Sequence, residues 1–203
     1  MYLPAQCVII GKMTPQRARR RIYSMKKIRL SDYVIFFTLY SVIGWIYEVF
    51  LEVVVYRWGF TNRGVLFGPY CPVYGFGALA FIFLVYPLIR GKVLKNKLKW
   101  MPVVFLLCML IATAIELGAS YALEAITGSW PWQTYADYKI NFQARIALSP
   151  SIRFGLGGVL FLYVLQPLFE KITGMLADRS SKKIAIILLI MFAVDFLYTV
   201  FIR

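Results

Sequence analysis

The run YSVIGWIYEVFLEVVVYRWGFTNRGVLFGPYCP, residues 40–72, holds the end of a long apolar stretch, two acids, and then a turn-rich loop. Glu48 and Glu52 are four apart, so they share one face of a helix. A carboxylate inside an apolar span is costly unless it faces protein, water or a partner. Arg63 follows just past the span, ahead of Gly68-Pro69 and Pro72, which interrupt the backbone. The stretch therefore reads as half of a site, and the chain is expected to carry a second copy.

Working outward, the 203 residues are 61% hydrophobic, well above the half typical of soluble domains, with a mean hydropathy of +0.70. This predicts an all-α fold, a polytopic membrane helical bundle with short loops. Five apolar runs, residues 31–56, 71–89, 100–123, 154–169 and 183–201, each approach the roughly 20 residues that cross a bilayer. The fourth is short and Gly-rich. The domain division is a basic segment, 1–29, followed by a five-span membrane domain, 30–203. Met25, which opens MKKIRL, is an equally good start for a membrane protein, so residues 1–24 read as a dispensable extension.

The net charge of +14, from 23 Lys+Arg against 9 Asp+Glu, would suggest nucleic acid in a soluble chain. Here the basic residues lie in the connections, so the expected partners are membrane lipids and not nucleic acid. Segments 1–29, 90–99 and 170–183 carry eight, five and four Lys/Arg, whereas loops 57–70 and 124–153 carry two and three. Heavy and light segments alternate, which predicts a multi-pass protein of the cell membrane with its N-terminus cytoplasmic and its C-terminus outside.

No His is present, and Cys7, Cys71 and Cys108 form no CxxC, so neither disulfide, metal nor other cofactor is expected. There is no GxxxxGK[ST] loop, so an ATP-driven role would need a separate ATPase. HExxH and GxSxG are also missing, and nothing places a nucleophile; the protein reads more as a non-enzyme than as an enzyme.

An internal repeat is expected. GFGALAFIFLVYPL (75–88) aligns at an offset of 80 with GLGGVLFLYVLQPL (155–168), sharing Gly-x-Gly, a Phe and Pro-Leu. RGVLFGP (63–69) likewise resembles RIALSP (145–150), and each Arg follows a span with spaced acids: Glu48 and Glu52, then Glu116 and Glu124. Both units would run in the same sense, a parallel repeat of about 31–89 and 100–170, with the fifth span as an addition.

At 1.5 Å per residue, Glu48 and Glu116 fall roughly 8–9 Å below the outer edge of their spans. Glu52 and Glu124 fall at that edge, and Asp195 lies in the outer half of span five. Burying an acid near mid-span costs about 2.5–3.5 kcal/mol, so Glu48, Glu116 and Asp195 are expected to face inward or be paired. Arg63, Arg145 and Arg153 lie on the same side. Two roles remain open: these acids and arginines pair across the two repeats and hold helices together, or they line an outward-open pocket. The candidate substrate-binding set is Glu48, Glu52, Arg63, Glu116, Glu124, Arg145 and Asp195.

IGWIYEV (43–49), NRGVLFGPYCPVYGFGAL (62–79), Glu116 with Glu124, the Trp130 to Tyr138 stretch and NFQARIALSPSIRFGLGG (141–158) resemble the bacterial CmpB-like family of putative ABC-transporter type IV integral membrane proteins. The resemblance spans roughly residues 30–200, and its most specific part is the run from Arg63 through Gly77. The family tends to have Gly where this chain has Ala144. Its outer loop tends to have paired Trp and then Asp-Tyr, where this chain has Trp130-Pro131-Trp132 and Tyr135. The resemblance implies a transport-related permease. The expected function is binding of a polar or charged group of a small molecule or amphiphile, with a separate ATPase or a homo-oligomer as partner. The alternatives are a membrane enzyme or flippase acting on a lipid head group, and a non-catalytic partner subunit.

Overall fold

The computed structural model describes residues 27–201 other than Val65. Most of the basic segment 1–29, with Cys7 and Met25, therefore lies outside the described residues. Helix α1, Leu30–Phe50, opens with Asp32 accepting the Arg29 backbone N–H at 3.0 Å, an acid where the helix dipole favours one. It continues into a π turn, Leu51–Val55. Pro72 starts α2, Pro72–Leu84, at a position where its missing N–H costs nothing. After the short α3, Leu94–Lys99, comes α4, Met101–Thr127, closed by Gly128 in the left-handed conformation. A hairpin of two-residue strands follows, β1 Asn141–Phe142 and β2 Ile146–Ala147. Then come α5, Leu148–Leu160, and α6, Gln166–Met175, joined by a second π turn, Phe161–Leu165; α7 is Asp178–Phe201.

The two Pro-Leu pairs have different outcomes. Pro87 ends α2, which finishes as a 3₁₀ turn, Tyr86–Leu88. Pro167 also lacks an N–H for the carbonyl four residues back, but the wide turn at Phe161–Leu165 lets the helix run on. Among the described residues four helices are long and apolar enough to cross a membrane: Leu30–Val55, Met101–Ile126, Leu148–Met175 and Asp178–Phe201. The apolar helix Pro72–Leu88 is shorter. The fourth stretch, expected at 154–169, is the longest of all at 28 residues.

Helices that follow one another in the chain pack antiparallel within each pair. Along α1 and α2, Cys71 N–H donates to Ser41 O at 2.9 Å, while the rings of Tyr33 and Phe83 meet at 4.8 Å, so the two run antiparallel. In α4 and α5, Thr113 bonds Ser151 at 2.8 Å, and the Tyr163 hydroxyl donates to Lys97 O at 2.7 Å, again antiparallel. Helix α7 runs parallel to α1: Ser31 meets Ser181 at 2.8 Å, and Phe37 meets Phe192 at 5.3 Å. Gly75 lets α2 lie on Phe37 and Ser41 of α1, and Gly155 lets α5 lie on Phe105 of α4; a Cβ at either would overlap those neighbours. Phe36, Tyr40, Phe81, Val85, Val104, Cys108 and Leu162 fill the space where these helices meet. The Tyr40 hydroxyl, fully buried there, donates to Gln166 Oε1 at 3.2 Å.

The helix directions define two ends. The proximal end holds Arg29, Asp32, Ser181, Arg90 and Glu170, with Arg29 bonded to Asp32 at 2.7 Å and Arg90 to Glu170 at 3.1 Å. All the candidate site residues lie towards the distal end.

Candidate functional site

The π turn at the end of α1 carries Glu52, which is almost fully buried. Its carboxylate is satisfied locally: Thr61 Oγ1 donates at 2.6 Å, Thr61 N–H at 3.3 Å and Arg63 Nε at 2.9 Å. The loop after α1 is thereby folded back onto it.

Glu124 and Arg145 form the corresponding pair on α4 and the hairpin. Arg145 is buried, with its guanidinium 4.0 Å from the ring centres of both Tyr121 and Trp130. Such a sandwich suits a planar, weakly hydrated cation. The hairpin that delivers it turns through Gln143 and Ala144, both at positive φ, with Arg145 N–H bonded to Phe142 O at 2.9 Å. The indole N–H groups of Trp130 and Trp132 donate to Ala144 O at 3.1 Å and Arg145 O at 2.9 Å. These tryptophans thus help build the hairpin.

Asp195 is held by four donors. Phe67 N–H and Gly68 N–H donate at 2.9 and 2.8 Å, Thr199 at 3.3 Å, and the Tyr70 hydroxyl completes the set. Burial, reinforced by the Asp195 carboxylate, raises the Tyr70 phenol well above its ordinary range and keeps it a donor.

Glu48 and Glu116 differ from the other acids. Neither forms an ion pair with a described residue. Glu48 accepts from the Tyr74 hydroxyl, and Glu116 Oε1 from the Tyr135 hydroxyl at 2.8 Å. Gly44 makes the first contact possible, because Tyr74 packs where a Cβ would stand. Glu116 Oε2 is buried and has no partner among the described residues. The two acids share a neighbourhood through Tyr135. Burial raises that phenol well above its ordinary range, the Glu116 charge adds to the effect, and the Glu48 charge acts on it too. The Tyr138 ring is 5.6 Å from Tyr135, and the Tyr138 hydroxyl accepts from Arg153 at 3.3 Å. Arg153 also reaches Ser149 at 3.3 Å and the Tyr56 hydroxyl, and it too forms no ion pair with a described residue. Among the described residues no group of three or more His, Cys, Asp and Glu gathers as a metal site.

The Putative ABC-transporter type IV family matches residues 35–200, which covers all of these groups. The chain belongs to this family. No curated protein and no solved structure matches it.

Within this type IV chain the candidate acids and arginines fall into three kinds of arrangement. Glu52 with Arg63, and Glu124 with Arg145, are ion pairs; Asp195 is a loop clamp; Glu48 and Glu116 hold only phenols. Sequence reasoning did not single out Tyr74 and Tyr135 as carboxylate donors, nor Tyr70 as part of the clamp. It noted Arg153 without placing it in the site. Tyr74 had a local signal, since it follows Pro72 by two residues and so lies in the first turn of α2.

Proposed function

We propose that the protein is a transport-related membrane component that binds the polar group of a small molecule or amphiphile through Glu48 and Glu116. In this reading all five apolar helices cross the bilayer, α1 with α2 and α4 with α5 form two related units, and α7 is an addition. The distal end then faces outward, the N-terminus is cytoplasmic and the C-terminus is outside. Membership of the type IV family supports the transport reading. The observation that carries the site is the unspent acceptor capacity of Glu116, whose Oε2 is buried without a partner. A buried carboxylate oxygen without a donor is costly, and a ligand donor would relieve it.

Glu52–Arg63, Glu124–Arg145 and Asp195 then serve as walls that hold loops and hairpin around this pair. A separate ATPase would supply energy for any ATP-driven step. The test is a Glu48→Gln, Glu116→Gln double substitution assayed for substrate uptake or ligand binding, with membrane insertion checked in parallel. Loss of binding in an inserted protein is expected; normal binding overturns the assignment. A second reading, a partner subunit that binds no ligand, draws on the ion pairs that close on themselves. It predicts stoichiometric capture of another membrane or ATPase subunit and no effect of the double substitution beyond stability.

A further inference from the structure

Charges of both signs lie unspent at the distal end. Among the described residues Glu48 and Glu116 accept hydrogen bonds only from phenols, and Arg153 donates only to hydroxyls. The obvious neutralisation, an Arg153–Glu salt bridge, is not made with any described residue. The two signs nevertheless belong to one neighbourhood. Tyr47 has both Arg153 and Glu48 as charged neighbours, and its ring lies 6.2 Å from that of Tyr74. From the other side, Tyr135 on Glu116 abuts Tyr138 on Arg153 at 5.6 Å. Arg63 and Arg145, by contrast, are already neutralised by Glu52 and Glu124.

We infer that the site selects a zwitterionic group, with an ammonium bound by Glu48 and Glu116 and a phosphate or carboxylate bound by Arg153 and the hydroxyls of Tyr56, Tyr138 and Ser149. The chemistry on each side fits. Carboxylates flanked by tyrosine faces suit an ammonium, which takes charge-assisted hydrogen bonds and ring contacts together. A guanidinium in the first turns of α5 suits an oxyanion, and the helix N-terminus adds its positive end. A ligand carrying only one sign would leave the opposite protein charge without a partner. The same chemistry belongs to an ethanolamine-phosphate lipid head group and to a free soluble zwitterion. This inference rests on the Glu48–Glu116 site proposed above.

The test uses the purified full chain in detergent and follows thermal stabilisation and native mass spectrometry. Four probes are titrated: short-chain phosphatidylethanolamine, phosphatidylglycerol of equal chain length, phosphoethanolamine, and ethylamine. Expected is phosphatidylethanolamine bound at least tenfold more tightly than phosphatidylglycerol. Glu116→Gln and Arg153→Gln should each erase that preference, and Arg153→Lys should retain part of it. A lipid source predicts phosphatidylethanolamine well above phosphoethanolamine; a soluble source predicts phosphoethanolamine alone suffices; both support the zwitterion. Equal binding of the two lipids, together with no phosphoethanolamine binding that depends on both Glu116 and Arg153, overturns it. If ethylamine binds as tightly as phosphoethanolamine, in a manner abolished by Glu116→Gln and untouched by Arg153→Gln, the zwitterion falls and the carboxylate site stands. If no probe binds in a Glu116-dependent manner, both fall. Melting curves of each unliganded variant separate misfolding from lost binding.

Discussion

The Tyr135 hydroxyl donates to one oxygen of Glu116 at 2.8 Å, and the other oxygen of the same carboxylate is buried with no partner among the described residues. Half of this carboxylate is thus committed to the fold, and half is open to a ligand. Tyr135→Phe removes the committed half and should cost about 1–3 kcal/mol, the penalty for stranding a buried polar group. Adding Glu116→Leu should recover part of that loss, because the stranded group goes with it. Thermal unfolding of the two single variants and the double variant in detergent gives the coupling.

The same phenol sets a pH dependence. The folded protein raises the Tyr135 pKa, through burial first and the Glu116 charge second. An unfolded tyrosine ionises near 10. The stabilisation is therefore fully present below about pH 10 and is lost as pH rises further, through the folded value. Melting temperatures of wild type and Tyr135→Phe, compared from pH 8 to 11.5, should converge at the alkaline end.

Ala144 adopts a φ of 54° in the hairpin turn, where a glycine would be unstrained. Ala144→Gly should stabilise the protein by up to about 1 kcal/mol, since a left-handed non-Gly residue costs about 1–2 kcal/mol and glycine returns some of that as lost chain entropy. A rise in melting temperature with Arg145 still shielded from solvent is the expected result.

Gly44 faces the Tyr74 ring so closely that an added Cβ overlaps it. Gly44→Ala should displace Tyr74, strand Glu48 and cost about 1–3 kcal/mol by overpacking. Tyr74→Phe, which removes the hydroxyl alone, should destabilise less while giving the same loss at Glu48. Comparing the two melts separates packing from hydrogen bonding.

Asp195→Asn keeps the shape and removes the charge that collects four donors. Hydrogen exchange at the Phe67 and Gly68 amides should quicken at least tenfold, with α7 itself unchanged. Unaltered exchange at both amides would sink the clamp.

Much of the fold was legible because apolar runs and prolines act locally. The apolar runs expected at 31–56, 100–123 and 183–201 fall on α1 with its π turn, on α4 and on α7, whereas the ends at Thr127 and Asp178 lie four and five residues beyond the apolar runs. The length of the helix ending at Met175 was not legible. Pro167 looks like the stop that Pro87 is, and only the wide turn before it, packed around Tyr40 and Gln166, carries the helix past. At the site, depth alone marked Glu48 and Glu116 as needing partners. It did not say which partners, because Tyr74 and Tyr135 lie 26 and 19 residues away and reach the acids only through packing. The pairing considered from sequence ran across the two repeats; instead Glu52 meets Arg63 and Glu124 meets Arg145, because each following loop or hairpin folds back onto its own helix. The sandwich on Arg145 was hidden, since Tyr121 and Trp130 are gathered by the α4 terminus and the hairpin together.

Helix α7 has polar anchors near both ends, with Phe192 packed between them on Phe37 and Tyr70. Ser181 bonds Ser31 and Asp32 at one end, and Asp195 holds the Phe67–Tyr70 loop at the other. Two fixed points about 14 residues apart on one rod leave it no freedom to slide or screw. A shift of one turn would move both polar anchors about 5 Å from their partners at once. The helix can therefore tilt or swing only as a rigid strut, and any swing that keeps its Ser181 pivot must drag the Phe67–Tyr70 loop with it.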